Sequence, residues 1–265
     1  MSTLYLELFF KNVHRCALRN SFLCSRGLTE ITRRAARLQF SRFSTSSCLT
    51  SKKRKMAKVV QTPSKLKEQI YDYFLVLDFE ATCEENIKIH PQEIIEFPVV
   101  KINARTLQVD STFHQYVQPR VHKQLTPFCT QLTGIIQDMV DGQPHLEDVL
   151  LSLDQWMLDN KLLDPEVKSL FVTCGDWDLK TMLPSQSEYF NLPVPKYFSE
   201  WLNIKKAFAE VTSTYPHGMM QMLQLLNIQH QGRHHSGIDD CKNIGNILIE
   251  LLHRGYVGKP SWKKR

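Results

Sequence analysis

Two acidic residues stand close together after an apolar stretch of the chain. Residues 73–79 read YFLVLDF, which predicts a buried β-strand, and Glu80 follows directly after them. Because side chains alternate across a strand, Asp78 and Glu80 share one face, about 6–7 Å apart along the strand. A pair of divalent cations about 3.5–4 Å apart would offset the cost of burying these charges. The alternative is that both acids reach solvent where the strand ends.

A second acidic motif lies between a predicted strand and a predicted helix. Residues 174–178 read CGDWD, so the motif holds two acids, Asp176 and Asp178. A strand-to-helix junction directs side chains toward the ends of the neighbouring strands, where either acid could join Asp78. The junction by itself leaves the choice between the two acids open.

Two histidine–acid pairs precede the last predicted helix. Residues 234–240 read HHSGIDD, which offers His234 with Asp239 or His235 with Asp240 at the same spacing. At helical periodicity the face of Asp239 is polar, with Asn243, Asn246 and Glu250. The face of Asp240 is apolar, with Ile244, Ile247, Leu248 and Leu251. An acid that points into the domain needs a charge partner, so the pattern favours Asp240 as a metal ligand beside His235.

The elements that would position these residues form one α/β domain of about 195 residues. Strands are predicted at 73–79, 94–102, 111–117 and 169–173. Helices are predicted at 146–160, from about 178, and at 199–211, 218–228 and 239–253. No internal repeat interrupts this pattern.

Composition excludes several classes of protein. The chain has 265 residues of which 42% are hydrophobic, enough for a buried core and too many for a wholly disordered protein. No apolar run approaches the roughly 18 residues that a membrane span needs. The seven cysteines include no CxxC, which argues against a zinc ribbon or a disulfide scaffold and favours a reducing compartment.

The net charge of +6 is unevenly distributed along the chain. Residues 1–60 hold 13 basic and 2 acidic residues, and the remainder holds 20 basic and 25 acidic residues. The first segment has the Arg- and Ser-rich composition of a mitochondrial transit peptide, with a disordered basic tail as the alternative. A basic cluster at 52–55 could act as a nuclear signal, and translation from Met56 would give a cytoplasmic or nuclear form. Residues 259–265 form a second, shorter basic tail.

Taken together, the motifs resemble those of the DEDDh 3′→5′ exonucleases. The segments LDFEATC, HPQEIIEFP, CGDWDL and GRHHSGIDDCKNI resemble the enhanced-RNAi (Eri-type) exoribonuclease family, nearest its prion-protein-interacting-protein-like branch. The resemblance spans about residues 71–258. It selects Asp178 in the second motif. Ser236 stands where the sister class of exonucleases has a tyrosine, which indicates the histidine class.

The resemblance implies a ribonuclease H-like exonuclease fold, an α/β fold whose mixed central sheet is flanked by helices. It implies that two Mg²⁺ or Mn²⁺ ions are held by four acids, namely Asp78, Glu80, Asp178 and Asp240. His235 would act as general base, and Glu80 would be catalytic as well as a ligand. The backbone at Glu80 and Ala81, together with His235, would meet the terminal nucleotide. Three apolar side chains would contact its base, namely Phe79, Leu132 and Trp177.

The implied function is release of nucleoside 5′-monophosphates from the 3′ ends of single-stranded RNA. DNA is an alternative substrate, and an inactive RNA- or protein-binding module on the same fold is an alternative function. A zinc protein is a further alternative, with His230, His234, His235 and Cys241 as ligands. The sequence disfavours it, because residues 230–233 read as a turn without a companion acidic motif. No membrane partner is indicated, a monomer is the default expectation, and protein partners are not indicated.

Overall fold

The computed structural model describes residues 66–263. The predicted leader over 1–60, the basic cluster at 52–55 and Met56 lie outside the described residues. The strands of the described part are β1 (Tyr73–Leu77), β2 (Glu80–Ala81), β3 (Ile94–Asn103), β4 (Val109–Tyr116), β5 (Ser169–Thr173), β6 (Glu200–Asn203) and β7 (Trp262–Lys263). Its α-helices are α1 (Pro127–Thr133), α2 (Gln137–Val140), α3 (Leu146–Asp159), α4 (Leu183–Tyr189), α5 (Ile204–Thr212), α6 (Met219–Leu226) and α7 (Gly237–His253). None of these helices is both long and apolar enough to cross a membrane.

The strands form one mixed sheet in the order β4-β3-β1-β5-β6-β7. Strand β3 is the longest and pairs antiparallel with β4 on one side and with β1 and then β2 on the other. Strands β1, β5 and β6 run parallel, and β7 returns antiparallel to β6. A mixed sheet flanked by helices confirms the predicted α/β fold class.

The two faces of the sheet are covered by different helices. In β1, Phe74 and Val76 face the core formed with α5, α6 and α7, whereas Leu75 and Leu77 face the core formed with α3. The alternation that sorts these apolar residues continues past the end of β1. It therefore places Asp78 and Glu80 on the side of the sheet that α7 covers.

The predicted helix at 199–211 is wrong over its first turn. Residues Glu200–Asn203 form β6, and the helix begins only at Ile204. Trp201 and Leu202 are both fully buried, on opposite faces of the sheet, which is the alternation of a central strand. The Asn203 side chain then accepts a hydrogen bond from the Lys205 N–H at 3.0 Å and caps the helix. A four-residue strand that runs straight into a helix is hidden by the helical periodicity that follows it.

The sequence pattern does not predict the two helices that precede residue 146 or the strand that follows residue 258. Helices α1 and α2 were not predicted, although Thr126 caps α1 and Pro127 opens it. At the other end, the fold continues past residue 258, because Trp262 stacks on Trp201 with ring centroids 4.1 Å apart. The described part of the predicted basic tail thus carries an edge strand.

Helix α7 approaches the sheet closely at its first turn. The buried Glu96 carboxylate, on β3, accepts hydrogen bonds from the N–H groups of Gly237 at 2.9 Å and Ile238 at 3.1 Å. Its third partner is His114 Nε2 at 2.8 Å. A Cβ on Gly237 would stand 2.7 Å from the Asp78 carbonyl oxygen. The absence of a side chain at Gly237 therefore sets the distance between α7 and the end of β1.

Replacement of Gly237 by alanine is expected to destabilise the fold by about 1–3 kcal/mol, the usual cost of overpacking a rigid contact. The control is Gly245→Ala in the same helix, where the added Cβ meets only the end of the Ile102 side chain at 2.9 Å. There the gain in helix propensity of up to about 1 kcal/mol offsets the contact. Urea unfolding of both variants measures the difference, and equal stability of the two would contradict the close approach.

Candidate active site

Three carboxylates meet between the end of β1, the start of β2 and the first turn of α7. Asp78, Glu80 and Asp240 each offer an oxygen within 4.8 Å of the other two. Glu80 is 8% exposed and Asp240 4%, while Asp78 is partly buried. Asp78 and Glu80 arrive here through strand alternation and Asp240 through the helical face that also carries Ile244. Both local geometries follow directly from the sequence.

The fourth acid, Asp178, approaches from the neighbouring strand β5. It is 4% exposed and begins the π-helical turn Asp178–Met182 that leads into α4. Its Oδ1 accepts a hydrogen bond from the Phe79 N–H at 2.9 Å, so one oxygen is held against the backbone between β1 and β2. Asp178 is not one of the three acids whose oxygens lie within 4.8 Å of one another. Its negative charge nevertheless helps to raise the pKa of Asp78.

The neighbouring acid Asp176 has a different place. Its Oδ1 accepts a hydrogen bond from the Trp201 indole at 3.0 Å, and its Oδ2 pairs with the Lys206 ammonium at 3.3 Å. Both contacts tie the loop after β5 to β6 and α5. The structure therefore places Asp176 in contacts with the scaffold and Asp178 beside the backbone next to Asp78, a difference that spacing alone does not predict.

His235 lies beside Asp240 in a constrained backbone conformation. Its φ is 65°, in the left-handed region, and its N–H donates to Asp240 Oδ2 at 2.9 Å. Burial, His234 and Arg233 together lower the pKa of His235 to about 4. The imidazole is therefore uncharged at neutral pH and able to accept a proton.

In the second histidine–acid pair, the acid Asp239 is turned away from the acids of the site, whereas a ligand atom of His234 lies within 4.8 Å of one on Asp240. Asp239 points outward, where its carboxylate accepts from the Arg233 N–H at 3.0 Å and pairs with Lys242 at 3.0 Å. Although burial raises the pKa of Asp239, these two contacts lower it below the usual value. His234 is exposed, with its ring centroid 3.9 Å from that of His235.

Burial and mutual repulsion make the site costly for four negative charges. Burial, followed by the neighbouring acids, raises the pKa of Asp78 and of Glu80 well above the usual range. Burial raises the pKa of Asp178 to about 6 and that of Asp240 to about 7. Asp240 Oδ1 is buried without a hydrogen-bond partner among the described residues. An all-oxygen set with an orphaned carboxylate oxygen fits hard divalent cations such as Mg²⁺ or Mn²⁺.

The residues expected to meet a nucleotide fall into two groups. Leu132 and Trp177 are partly exposed, and Ala81 lies on the strand that carries Glu80. Phe79 is 4% exposed and packs edge-on against Phe97, with ring centroids 4.5 Å apart. Its ring thus belongs to the core beneath the site, and a base contact of the Phe79 ring is not supported.

Glu96 is a site-positioning residue that the sequence analysis missed. It is 1% exposed, lies directly opposite Glu80 in the β2–β3 pair, and anchors the first turn of α7 as described above. The available signal was an acid in the middle of the apolar run IIEFPVV. Such an acid needs a partner, but the partner lies 141 residues away and could not be read from the pattern.

Comparison with known proteins gives a consistent result. A family model described as exonuclease (RNase_T) matches residues 75–248. Human ERI1 exoribonuclease 3 is 59% identical over 209 residues, which cover 78% of this chain and 60% of the relative. The chain spans about 60% of the length of this relative and of the bovine and mouse proteins of the same name.

Two solved structures have a similar fold. The nuclease domain of 3′hExo, a DEDDh family member bound to rAMP, is 38% identical with a TM-score of 0.71, and the match covers 74% of this chain and all of that domain. A 3′-exonuclease in a structure of 3′-end specific recognition of a histone mRNA stem-loop is 36% identical with a TM-score of 0.72, and the match covers 76% of this chain and 71% of that one. These similarities confirm the ribonuclease H-like exonuclease fold.

The raised carboxyl pKa values predict how stability depends on pH in the presence of EDTA. The folded state holds more protons on these acids than the unfolded state. Their raised pKa values therefore contribute fully to the free energy of unfolding below about pH 4, and this contribution is lost as the pH rises through about 6 and 7. We expect Tm to fall by several degrees between about pH 5 and pH 8, since one pKa unit corresponds to about 1.4 kcal/mol. Added Mg²⁺ or Mn²⁺ should raise Tm more at the higher pH. Differential scanning fluorimetry measures both effects.

Asp78→Asn tests the origin of that pH dependence. Loss of one repelling charge should raise Tm in EDTA at about pH 8 and weaken the response to the metal. The control, Asp239→Asn, loses the ion pair with Lys242 but should keep the wild-type response to the metal. A wild-type Tm that is flat or rises with pH in EDTA would contradict the charge repulsion.

Proposed function

The chain belongs to the exonuclease (RNase_T) family and, within it, to the Eri-type exoribonucleases, and from this membership we propose that it is a metal-dependent 3′→5′ exoribonuclease. The products would be nucleoside 5′-monophosphates. The observation that carries the proposal is the convergence of Asp78, Glu80 and Asp240 within 4.8 Å, with Asp178 and His235 beside them. A scaffold would not gather four acids in a buried place without a cationic ligand.

The acids would hold two divalent ions, with Asp78 placed between Asp240, Glu80 and Asp178. Such ions, when bound, neutralise phosphate charge and make water a better nucleophile. Mg²⁺ is the proposed physiological ion because all four ligands are carboxylates, and Mn²⁺ would also be accepted.

His235 would accept the proton of the water that attacks the last phosphodiester bond. Its low pKa in the free protein would rise as the negative phosphate approaches, toward the value that suits a general base at neutral pH. Asp240 holds the histidine backbone through the His235 N–H, so ligand and base keep a fixed relative position. The attack would expel the 3′ oxygen of the penultimate nucleotide.

RNA is the proposed substrate. Support comes from the relatives, since one similar structure holds rAMP and another is described with a histone mRNA stem-loop. The backbone of Glu80 and Ala81 would meet the terminal ribose, and the partly exposed side chains of Leu132 and Trp177 would stack on its base without reading its identity. A single-stranded 3′ end of any sequence would therefore be accepted.

The cellular location of the protein is a proposal from the sequence alone. The basic, Ser-rich composition of residues 1–60 supports mitochondrial import. Translation from Met56 would yield a cytoplasmic or nuclear form with the same catalytic residues.

The activity is tested with the full chain and a 5′-labelled single-stranded RNA, beside DNA of the same sequence, in Mg²⁺, Mn²⁺ and EDTA. We expect a ladder that shortens from the 3′ end, requires the metal and favours RNA. Asp78→Asn and His235→Ala should lose at least about 100-fold in rate, in line with the loss of a metal ligand or a general base. Asp239→Asn, one residue from Asp240, should retain the rate.

Intact RNA in every lane, with a folded protein that still binds RNA, would instead support the inactive binding module. Equal ladders on RNA and DNA would remove the proposed preference for ribose and leave the nuclease.

The second motif offers a matched pair of variants. Asp178→Asn should lose at least about 100-fold in rate while the fold stays intact, because the amide removes a charged ligand. Asp176→Asn should keep most of the activity and lose some stability, because Asn keeps an acceptor for Trp201 but not the ion pair with Lys206. Rate and urea midpoint are measured on both. The reverse pattern would show that Asp176 is the ligand.

A further inference from the structure

A second group of metal-ligating atoms adjoins the acidic site. His234, His235 and Asp240 each offer a ligand atom within 4.8 Å of the other two. His234 is exposed, His235 is partly buried and Asp240 is buried, so the group opens to solvent on the histidine side. The proposed hydrolysis uses His235 and Asp240 but gives His234 no role.

The donor chemistry of this group differs from that of the four acids. Two imidazoles and one carboxylate suit Zn²⁺, which prefers nitrogen ligands and four-coordinate geometry, whereas Mg²⁺ prefers oxygen ligands. At equal access Zn²⁺ also binds nitrogen and oxygen sites more tightly than Mn²⁺. We propose that His234, His235 and Asp240 form an inhibitory Zn²⁺ site that overlaps the catalytic site.

The geometry requires only local adjustment. Ligand atoms around a tetrahedral zinc with bonds of about 2.0–2.1 Å lie about 3.3 Å apart, compared with at most 4.8 Å here. The two imidazole rings lie face to face, with centroids 3.9 Å apart and planes inclined by 30°, so one ring must turn before both nitrogens point at one ion. Because His234 is exposed, rotation of its side chain can close the gap, and a water can occupy the fourth position.

These ligands differ from the three histidines and one cysteine that the sequence alone suggests for zinc. Cys241 is fully buried, and its thiol is directed at the Pro98 carbonyl at 3.9 Å, so it does not join the histidines. Asp240 takes its place, and its Oδ1 is buried without a hydrogen-bond partner among residues 66–263. That oxygen is a ligand atom available to either metal.

Zinc would inhibit because two residues belong to both sites. With zinc bound, Asp240 is withdrawn from the acids that hold the catalytic ions, and His235 can no longer accept a proton. The inhibitory effect rests on the proposed nuclease function, whereas the binding of zinc does not. The two parts can therefore fail separately.

Binding is tested by calorimetric titration of the full chain with Zn²⁺ in excess Mg²⁺, and by the visible spectrum of the Co²⁺-loaded protein. We expect binding of one Zn²⁺ and the d–d bands of four-coordinate Co²⁺. His234→Ala should weaken binding at least about tenfold and abolish the bands. The control is His230→Ala, whose ring centroid lies 6.3 Å from that of His234, and it should bind as the wild type. Wild-type affinity in His234→Ala, or no binding by the wild type, would overturn the assignment.

Inhibition is tested with labelled RNA in Mg²⁺ and increasing Zn²⁺. The wild type should lose activity as zinc binds and recover it with a zinc-selective chelator. His234→Ala and His234→Asn, each compared with its own rate without zinc, should need at least about ten times more zinc for half-inhibition. Equal zinc sensitivity of these variants would overturn the inhibitory role. An inactive wild type in Mg²⁺ alone would count against the nuclease function and leave the binding result standing.

Discussion

Repulsion between buried carboxylates is the constraint on which the rest of this structure depends. Four acids are drawn into one place where burial raises the pKa of each of them. Among the described residues, the positive charge of Lys205 opposes the rise in the pKa of Asp78 but does not cancel it. Backbone N–H groups donate hydrogen bonds to two of the acids, that of Phe79 to Asp178 and that of His235 to Asp240. The scaffold must therefore be rigid enough to keep these carboxylates buried and close together while no cation is bound. A mixed sheet covered on both faces by helices provides that rigidity.

The parts of the site that depend on local periodicity could be predicted from the sequence. Strand alternation placed Asp78 and Glu80 on one face, and helical periodicity pointed Asp240 inward and Asp239 outward, as the structure has them. The order of strands and helices also predicted the α/β class. These inferences need only the side-chain periodicity of a strand, 2.0 residues, and that of a helix, 3.6 residues.

The remaining features depend on contacts between distant parts of the chain. The different surroundings of Asp176 and Asp178 depend on Trp201, 25 residues from Asp176, whose indole N–H donates a hydrogen bond to Asp176. Strand β6 exists because Trp201 and Leu202 find opposite faces of the sheet, and a pattern of apolar residues before a helix does not distinguish this from a longer helix. The resemblance to known exonucleases supplied Asp178 in the absence of such contacts. It could not supply Glu96, whose function appears only once α7 lies against β3.

The hydrogen bond from the His235 N–H to Asp240 links the proposed general base to a proposed metal ligand. Whatever moves the first turn of α7 moves both residues in the same direction. The relative position of these two residues thus has few independent degrees of freedom. A ligand bound at this turn would therefore displace Asp240 and His235 together.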